Sequence, residues 1–442
     1  MNLTKNLNFL NFLFFLIPVA FIFRSSVINL LVIFIIISCA IKYKKEILNL
    51  SDKTLLCFLT FFIILIVSGA VEEYINPQES SFLKSILFLR YFLLAAFVSY
   101  VVKKDHLNFK YFFLSCLICT TILSLDIIYQ SINGKDLFGI VTDTKYQTHN
   151  AGFFGNQLVA GSYLQRFFML GLFAIPLLTK KIKKFNFVLL VALIIGSIGI
   201  ILAGNRMPVV LFIIFLFTSI FFVKKLKYEF ISMILILPVL YLIIFNINSG
   251  IQSSHKSFFV NAKYIFTNVT KELKREYPEL DSNKGNIFYR QFKYKEKTGY
   301  EVYSFGSGHA VLFLTAIDTW KDRPLIGTGV KSFVYKCKTK MHLPNRACEM
   351  HPHNYYLDIL NSVGFLGLIF LLLGFFFIVK KRFSLQKTIN ESKNYFIFNS
   401  LLLALLIEFI PFRSSGSFFA TENATFIFLL FGLIAGCKYS KN

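Results

Sequence analysis

The chain has 442 residues, of which 55% are apolar, 17% aromatic and only 16% charged, and its mean hydropathy is +0.62. Because a soluble protein carries about a quarter of its residues as charged side chains, this composition excludes a soluble globular protein, a disordered chain and a small disulfide-rich scaffold. The formal net charge of +24 would suit nucleic acid or anionic lipid, so the positions of the cations must decide between these partners.

Twelve apolar runs have about the length, 17 to 25 residues, that crosses a hydrocarbon core of about 30 Å. They predict an all-α integral membrane protein with about twelve transmembrane helices, near residues 7–23, 26–41, 54–70, 82–102, 110–130, 161–178, 186–203, 208–223, 230–247, 355–379, 394–410 and 420–437. Between the fifth and sixth runs, Gly152, Gly155 and Gly161 permit tight turns, which leaves room for a re-entrant segment at 150–160.

Lys and Arg are distributed unequally between the two sides of this predicted bundle. The termini and the short loops on their side hold 22 cations, and the short loops on the opposite side hold 5. Since short cytoplasmic loops carry the excess of Lys and Arg, both termini are predicted to be cytoplasmic, as in a multi-pass bacterial inner membrane protein. The positive charge is then mainly a topology signal, and we expect the lipid bilayer, and no nucleic acid, as a partner.

One predicted connection is far longer than the others. Residues 248–354 form an outer loop of 107 residues with 17 Lys and Arg against 9 Asp and Glu. A connection of this length is typical of a functional unit, and its net positive charge suits an anionic ligand. The predicted division is therefore 1–247 for transmembrane helices 1–9, 248–354 for a periplasmic loop domain and 355–442 for helices 10–12.

Within this loop the sequence predicts an amphipathic stretch at 261–280, a helix from Ala310 to Lys321 and a glycine-containing turn that follows it. Cys337 and Cys348 lie 11 residues apart in the loop. An oxidising periplasm would let them form a disulfide, and the alternative is two unpaired thiols. The other five cysteines lie in or beside the apolar runs and are interpreted as small apolar residues.

Ionisable residues inside membrane spans are costly, and they are candidate functional residues. With the predicted topology they all fall in the outer half of their helices, which favours a site that opens to the periplasm. For Lys84 and Glu422, at helix ends, the alternative is snorkelling to the membrane interface. For Asp126, Arg166 and Glu408 the alternative is an intramembrane ion pair. The set comprises Lys84, Arg90, Asp126, Arg166, Asp358, Glu408 and Glu422, of which Arg90, Arg166 and Glu408 are candidates for substrate binding.

Arg206 lies in a predicted outer turn with the sequence Gly204-Asn205-Arg206-Met207-Pro208. Pro208 suits the first turn of a helix. An arginine beside a helix N-terminus combines a forked donor with unpaired backbone N–H groups, which is what phosphate binding requires. The alternative is a turn arginine that contacts lipid headgroups.

The end of the outer loop brings His351, His353 and Asn354 together directly before the tenth span. His353 is a candidate general base or hydrogen-bond partner for a sugar hydroxyl, because imidazole titrates near neutral pH, and Asp358 could orient it. Asn354 suits a helix N-cap. A metal site is not expected, since the two histidines have no further ligands at zinc-like spacing.

His309 begins the predicted loop helix and is a second candidate. The remaining histidines stand in no motif; they are His106, His149, His255 and His342.

Three segments resemble the O-antigen ligase and O-antigen polymerase family of bacterial membrane proteins. The first is His353-Asn354 followed, after nine residues, by Gly364-Phe-Leu-Gly367-Leu368, with Leu368 at a position where the family usually has Thr. The second runs from Phe153 to Arg166, and the third runs from Gly308-His309 through Trp320, Pro324, Gly327 and Gly329. His309 stands where the family has a second arginine.

The resemblance implies a GT-C-like membrane glycosyltransferase that takes glycan from an undecaprenyl-diphosphate-linked donor. It implies no metal and no other cofactor. Arg206 matches a family arginine that binds the donor diphosphate, and His353 matches the loop histidine that assists the acceptor, so both are predicted to be catalytic. The substrate-binding set is predicted to include Arg90, Arg166, His309, His351, Asn354 and Glu408.

The acceptor is left open by the sequence. Lipid A-core as acceptor makes the protein a ligase, a second lipid-linked glycan makes it a polymerase, and a protein acceptor makes it an oligosaccharyltransferase. Two alternatives of other classes are a transporter or flippase of lipid-linked oligosaccharide and an assembly partner without catalysis. A transporter predicts polar residues through the full membrane depth, whereas this chain has them in the outer half.

Overall fold

The computed structural model describes residues 9–43, 52–77, 80–141, 149–155, 157–178, 182–252, 255, 294–295, 301–302, 308–343, 346–386, 393–411, 413 and 416–437. The predicted amphipathic stretch at 261–280 lies outside the described residues. The helices are α1 (Phe9–Phe15), α2 (Ile17–Ile22), α3 (Arg24–Tyr43), α4 (Lys53–Ile75), α5 (Ser81–Phe88), α6 (Arg90–Lys103), α7 (Phe109–Asn133), α8 (Ala160–Gly171), α9 (Ala174–Leu178), α10 (Ile182–Leu202), α11 (Arg206–Phe222), α12 (Lys227–Ile247), α13 (Gly308–Lys321), α14 (Phe333–Lys336), α15 (Tyr355–Gln386), α16 (Lys393–Glu408) and α17 (Thr421–Gly436).

Three short 3-10 helices and one pair of two-residue strands complete the described secondary structure. The 3-10 helices are Gly152–Phe154, Lys224–Leu226 and Cys337–Lys340, and the antiparallel strands are Tyr294–Lys295 and Glu301–Val302. The loop helix α13 agrees with the helix predicted from Ala310 to Lys321, and it begins two residues earlier.

Among the described residues, seven helical segments are long and apolar enough to cross a membrane. They are Arg24–Tyr43, Lys53–Ile75, Ser81–Lys103, Phe109–Asn133, Ala160–Leu178, Lys224–Ile247 and Tyr355–Arg382. Five shorter apolar segments lie at the other predicted positions: Phe9–Ile22, Phe187–Leu202, Arg206–Phe222, Phe396–Glu408 and Thr421–Gly436. The protein is therefore a helical integral membrane protein, and the total of twelve spans stays a prediction.

Among the described residues, the first, fourth, sixth and tenth predicted spans are interrupted; the sixth divides between α8 and α9, and the tenth at Gly364. The first is divided at Leu16 into α1 and α2, with Pro18 in the first turn of α2, where its missing N–H leaves no helical bond unmade. The fourth is divided at Leu89, whose N–H donates to the Ile86 carbonyl at 3.0 Å in a tighter turn. This division places Arg90 at the N-terminus of α6.

Phenylalanine rings fill the contacts between helices in the bundle interior. The α4 helix packs along α15, and α17 packs along α6. The ring centroids of Phe58 and Phe431 lie 4.3 Å apart, and those of Phe62 and Phe428 lie 5.1 Å apart. Tilted aromatic pairs at these separations are favourable beyond the area that they bury. The high Phe content of the sequence therefore serves helix packing as well as contact with lipid.

The described residues between α7 and α8, which include the 3-10 helix Gly152–Phe154, pack against α7. Gly152 and Gly155 have φ values of +53° and +60°, in the region that favours glycine. The Gly152 N–H donates to Gln130 Oε1 at 2.8 Å, and the Leu137 N–H donates to Asp126 Oδ1 at 2.8 Å. Asp126 and Gln130 are thus used to hold the chain that leaves α7, because non-helical backbone at membrane depth must find its partners within the protein.

A break in α15 receives the segment of the outer loop that follows α13. At the break Gly364 has φ +63° and ψ −168°, so backbone groups on both sides of it are released from the helical pattern. Four backbone hydrogen bonds of 2.8–3.1 Å join the break to residues 324–329: Thr328 to Asn361, Gly329 to Ser362, Phe365 to Pro324 and Leu366 to Leu325. The two glycine-containing segments of the family resemblance therefore meet at one interface. We call the end of the bundle that contacts residues 308–354 the loop end.

Candidate functional site

A buried cluster of charged and polar side chains lies at the loop end, between α8, α15, α16 and α17. The side chains of Arg166, Glu408 and Arg413 are 8%, 0% and 6% exposed. Arg166 Nη2 donates to Glu408 Oε1, to the Tyr355 hydroxyl at 2.9 Å and to Asn423 Oδ1 at 2.6 Å. We call these five residues the Arg166 cluster.

Glu408 is the centre of the Arg166 cluster. Arg166 Nε donates to its Oε2 at 3.2 Å, Arg413 Nη1 lies 2.8 Å from the same oxygen, and the Tyr355 hydroxyl donates to Oε1 at 2.8 Å. Two guanidinium groups and one carboxylate leave the cluster with a formal charge of +1. This geometry favours the ion-pair interpretation of Arg166 and Glu408, since each uses its polar atoms on the other and on their shared neighbours.

The connection between α16 and α17 is held against α15 by side chains from the start of α15. Asp358 accepts hydrogen bonds from Ser417 Oγ at 2.7 Å and from the Phe418 N–H at 2.8 Å. Asn354 Nδ2 donates to the Pro411 carbonyl at 2.7 Å, and Asn354 Oδ1 accepts from the Leu357 N–H at 3.2 Å. Asn354 therefore caps α15, and the carboxylate of Asp358, expected to orient His353, holds Ser417 and Phe418 instead.

His351 and His353 lie directly before this helix start, with ring centroids 4.2 Å apart. Burial lowers the pKa of His351 to about 4, and the neighbouring His353 adds to the shift. His351 is therefore neutral over the physiological range. His353 has φ +55°, in the left-handed region that Asn, Asp and His adopt more often than other residues with side chains.

The segment that precedes these histidines is anchored by a disulfide between Cys337 and Cys348, whose Cα atoms lie 5.1 Å apart. Arg346 Nε donates to Asp318 Oδ2 at 2.6 Å. Burial opposes the charge of Asp318, but the hydrogen bonds and positive charge of Arg346 and Lys321 hold its pKa below the usual value. The disulfide fixes the end of the outer loop to the 3-10 helix Cys337–Lys340, and the Arg346 contact fixes it to α13. His309 lies in the first turn of α13, and its side chain is outside the described residues.

Arg206 is the first residue of α11, which begins two residues before the start predicted at Pro208. Its neighbour Asn205 accepts a hydrogen bond from the Gly161 N–H at 3.2 Å through Oδ1 and donates to the Leu158 carbonyl at 3.2 Å. The turn is thereby tied to the N-terminus of α8. Arg166 is five residues from Gly161, about 7.5 Å along the helix. Arg206 and the Arg166 cluster are therefore joined to the same end of α8.

The other predicted ionisable residues have separate surroundings. Arg90 Nη1 donates to the Leu87 carbonyl at 2.6 Å and Nη2 to the Tyr91 hydroxyl at 2.8 Å, and its buried Nε has no hydrogen-bond partner. Lys84 Nζ lies 5.2 Å from the centroid of the Tyr335 ring of the outer loop, and Glu422 accepts from Ser25 Oγ. Lys84 thus contacts the protein as well as the predicted membrane interface.

Two residues of the loop end were missed in the sequence. Glu72 is fully buried, and its carboxylate lies 2.8 Å from Arg323 Nη1 and 2.6 Å from Lys336 Nζ of the outer loop. The third predicted span ended at residue 70 and left Glu72 in a short loop, whereas α4 continues to Ile75. Arg413 was counted only as a loop cation. For both residues, the signal was a charge within one turn of an apolar run.

These features define a multi-pass helical membrane protein with the Arg166 cluster, the Glu72 contacts and the catalytic candidates at the loop end. Residues 190–372 match the family model described as O-Antigen ligase, which confirms the resemblance seen in the sequence. The match contains Arg206, His309, His351, His353 and Asn354, and supports a membrane enzyme of surface polysaccharide biosynthesis in the bacterial inner membrane. Arg90, Arg166 and Glu408 lie outside it. No curated protein matches the chain.

Proposed function

We propose that this protein is a metal-independent membrane glycosyltransferase of O-antigen or lipopolysaccharide biosynthesis, of the ligase or polymerase type. Its donor is a glycan linked to undecaprenyl diphosphate on the periplasmic side. One observation carries the proposal: Arg206 begins α11 inside the segment that matches the family. The unpaired N–H groups of a helix N-terminus and a guanidinium together form a binding site for the two phosphates of such a donor.

In the proposed reaction an acceptor hydroxyl attacks the anomeric carbon of the donor sugar with inversion. The bond from that carbon to the diphosphate oxygen breaks, and the diphosphate leaves with the electron pair. Arg206 and Arg90 stabilise the charge on the leaving group, which is the usual role of fixed cations in such a step. His353 accepts the proton of the acceptor hydroxyl at the boundary between water and lipid.

The Arg166 cluster has a positioning role in this proposal. Its bonds connect α8, the N-terminus of α15 and the C-terminus of α16, and α15 begins directly after His353. Removing a partner would leave a buried charge uncompensated and would move the helix start that carries the histidine. His351, neutral because of its burial, packs against the His353 ring. His309 is retained as a candidate contact for the glycan or the diphosphate.

The proposal includes the predicted orientation, with both termini cytoplasmic and residues 248–354 as a periplasmic domain. The acceptor is lipid A-core or a second lipid-linked glycan. These two alternatives distinguish a ligase from a polymerase.

The test is complementation of a deletion strain with the wild-type protein, Arg206→Ala, His353→Ala and the control Lys338→Ala, at matched levels in the membrane. Lys338 is an exposed cation of the same loop. Surface glycan is then compared on gels. Loss of polymer with retention of single repeats on the lipid core indicates a polymerase, and accumulation of lipid-linked polymer indicates a ligase.

We expect both Arg206→Ala and His353→Ala to abolish the glycan ladder and Lys338→Ala to restore it. Full restoration by both point variants would contradict catalysis. In that case lipid-linked oligosaccharide on the two faces of the membrane should be measured, since its retention on the cytoplasmic face would favour the flippase alternative.

A further inference from the structure

The outer loop makes a tight turn at residues 323–327, and the side chains at its tip are apolar and exposed. The turn is closed by the Gly327 N–H, which donates to the Arg323 carbonyl at 3.0 Å. Leu325 is 59% exposed, and Pro324 before it is exposed as well. The depth of the turn along the bundle decides whether these side chains face water or lipid.

The α15 helix gives one measure of this depth. A Cβ added at Gly364 would collide with the Leu325 carbonyl, so the two residues lie at one level of the bundle. Lys380 is the first lysine toward the opposite end of α15, and it lies 16 residues from Gly364, which is about 24 Å along the helix. Because the hydrocarbon core is about 30 Å thick, Leu325 lies within it, about 6 Å from its edge on the loop side.

The α4 helix, which packs along α15, gives the same depth independently. A Cβ added at Gly329 would lie 3.0 Å from the Cα of Gly69. Lys53, at the opposite end of α4, is again 16 residues from Gly69. The buried Glu72 is three residues beyond Gly69, about 4.5 Å closer to the edge of the core. Its ion-pair partner Arg323 therefore lies near this edge, and the rest of the turn reaches inward from it.

The backbone of the turn meets the requirement for non-helical chain at such a depth. In hydrocarbon, backbone polar groups must find their partners within the protein. The Leu325 carbonyl accepts from the Leu366 N–H at 3.1 Å. The Pro324 carbonyl accepts from the Phe365 N–H at 2.8 Å and from Trp320 Nε1 at 3.0 Å. Pro324 itself has no N–H that would need an acceptor. Both carbonyls are thus bonded to the protein, while the Leu325 side chain stays exposed.

This exposed tip continues the exposed face of α15. Phe365 and Leu366, which bind the turn through their N–H groups, are both exposed. Exposed apolar side chains recur along α15 at helical spacing, at Leu372, Leu373 and Phe376. Because α15 is long and apolar enough to cross the membrane, this face contacts acyl chains, and Leu325 extends it by one residue from the outer loop.

We infer that the turn at 323–327 is a re-entrant element of the outer loop, and that Leu325 inserts among the acyl chains of the leaflet on the loop side. The partner of this surface is the bilayer lipid itself. Trp320 and Arg323 then lie at the membrane interface, which suits an indole and a long cationic side chain. Part of the outer loop is therefore embedded in the membrane. The inference does not depend on the proposed reaction, so its failure would leave the proposed function unchanged.

The experiment measures quenching of a bimane fluorophore on single added cysteines of the full-length protein in phosphatidylcholine nanodiscs. Leu325→Cys is compared with Lys338→Cys, at an exposed position of the same loop, and with Leu373→Cys, on the exposed face of α15. The five free cysteines of the described residues are buried, so the added cysteine is the one that reacts. The quenchers are iodide in the water and a nitroxide on the lipid acyl chains.

We expect the lipid nitroxide to quench Leu325→Cys as strongly as Leu373→Cys, and iodide to quench Lys338→Cys alone. Iodide quenching of Leu325→Cys equal to that of Lys338→Cys would place the turn in water and overturn the inference. Protection of Leu325→Cys from both quenchers would mean that another protein surface, such as a second copy of the chain, covers the turn. That result would overturn the inference as well.

Trp320 gives a second measurement that needs no substitution, because the chain holds one tryptophan. Its indole N–H binds the turn at the Pro324 carbonyl, so lipid brominated on its acyl chains should quench the intrinsic emission of the unmodified protein. The comparison is with nanodiscs of the same lipid without bromine. If Leu325→Cys does not fold, as judged by size-exclusion chromatography, this measurement decides. Equal emission in the two lipids would then overturn the inference.

Discussion

At the scale of single residues, Glu408 carries the negative charge on which two buried arginines depend. Arg166 and Arg413 both contact its carboxylate, and all three side chains are almost fully buried. Breaking a buried ion pair by removing one partner costs about 3–5 kcal/mol, because the remaining charge stays buried without compensation. The cost therefore depends on which charge is removed.

Glu408→Gln should destabilise the protein more than Arg166→Gln does. The first change leaves two buried guanidinium groups without a carboxylate, whereas the second leaves Arg413 paired with Glu408. The comparison is the thermal unfolding midpoint of both variants in the same detergent, with His342→Gln as an exposed control. An equal or smaller shift for Glu408→Gln would show that the two arginines do not depend on its charge.

His351 gives a prediction for pH dependence. Its pKa in the folded protein is about 4, below the ordinary value of 6.5, because the ring is partly buried. Between these two pH values the unfolded chain takes up a proton that the folded protein does not, so the free energy of unfolding falls as the pH falls from about 6.5 to about 4.

His351→Gln removes this titration, and its unfolding midpoint should fall less between pH 7.5 and pH 5 than that of the wild type. His342→Gln, at an exposed position of the outer loop, should follow the wild type. Parallel pH profiles for His351→Gln and the wild type would contradict the buried neutral state of the ring. Because His351 is partly exposed, solvent screening reduces its contribution to the pH dependence of stability. The quantity to compare is therefore the difference between the pH profiles of the wild type and His351→Gln.

At the scale of secondary structure elements, the break in α15 is the feature that connects the outer loop to the bundle. The sequence predicted a continuous helix from 355 to 379, since apolar periodicity does not register one residue with positive φ. The glycine motif around Gly364 was visible, but its partner was not, because the pairing with residues 324–329 joins segments about 40 positions apart. Composition and charge predicted the helices well; they could not predict which backbone groups leave the helix.

Gly364→Ala should separate the outer loop from α15. A Cβ at this position would lie 2.3 Å from the Leu325 carbonyl, and the φ of +63° is strained for alanine. Gly134→Ala is a matched control, since Gly134 has φ +74° and no atom within 4 Å of an added Cβ. Gly134→Ala therefore has the conformational cost of positive φ, about 1–2 kcal/mol, without the steric clash.

The measurement is limited trypsin digestion of both variants, scored by cleavage between residues 321 and 340. Faster cleavage in Gly364→Ala than in Gly134→Ala is the expected result. If the two variants are cleaved at the same rate, the docking of residues 324–329 does not depend on the shape of the break. A thermal unfolding midpoint measured in parallel separates local release of the loop from global loss of stability.

At the scale of the whole molecule, several groups of buried charge lie at the same end of the bundle, the loop end. The described residues of the Arg166 cluster, the Arg206 turn and the Glu72 contact with Arg323 and Lys336 all lie at the loop end. Glu72 takes its partners from the outer loop, and the charges of the Arg166 cluster take theirs from one another and from α15 and α17, which limits the cost of these buried charges in a membrane. The sequence predicted the side of Arg166 and Glu408 from their depth in the apolar runs and missed Glu72. The pairing of these residues could not be predicted, because it required the packing of helices that are distant in sequence.

The orientation of the bundle follows from a separate signal, the 22 cations of the terminal side against 5 in the opposite short loops. It predicts that Lys321, at the end of α13, lies outside the cytoplasm and that Asp105, between α6 and α7, lies inside.

Both side chains are exposed, and the five free cysteines of the described residues are buried, so single added cysteines report their own positions. In intact spheroplasts a membrane-impermeant maleimide should label Lys321→Cys and leave Asp105→Cys unlabelled until the membrane is permeabilised. Labelling of Asp105→Cys alone would reverse the orientation and place the Arg206 turn on the cytoplasmic face, where a periplasmic donor could not reach it. Labelling of both would mean an even number of crossings between them, in place of the five that the sequence predicts.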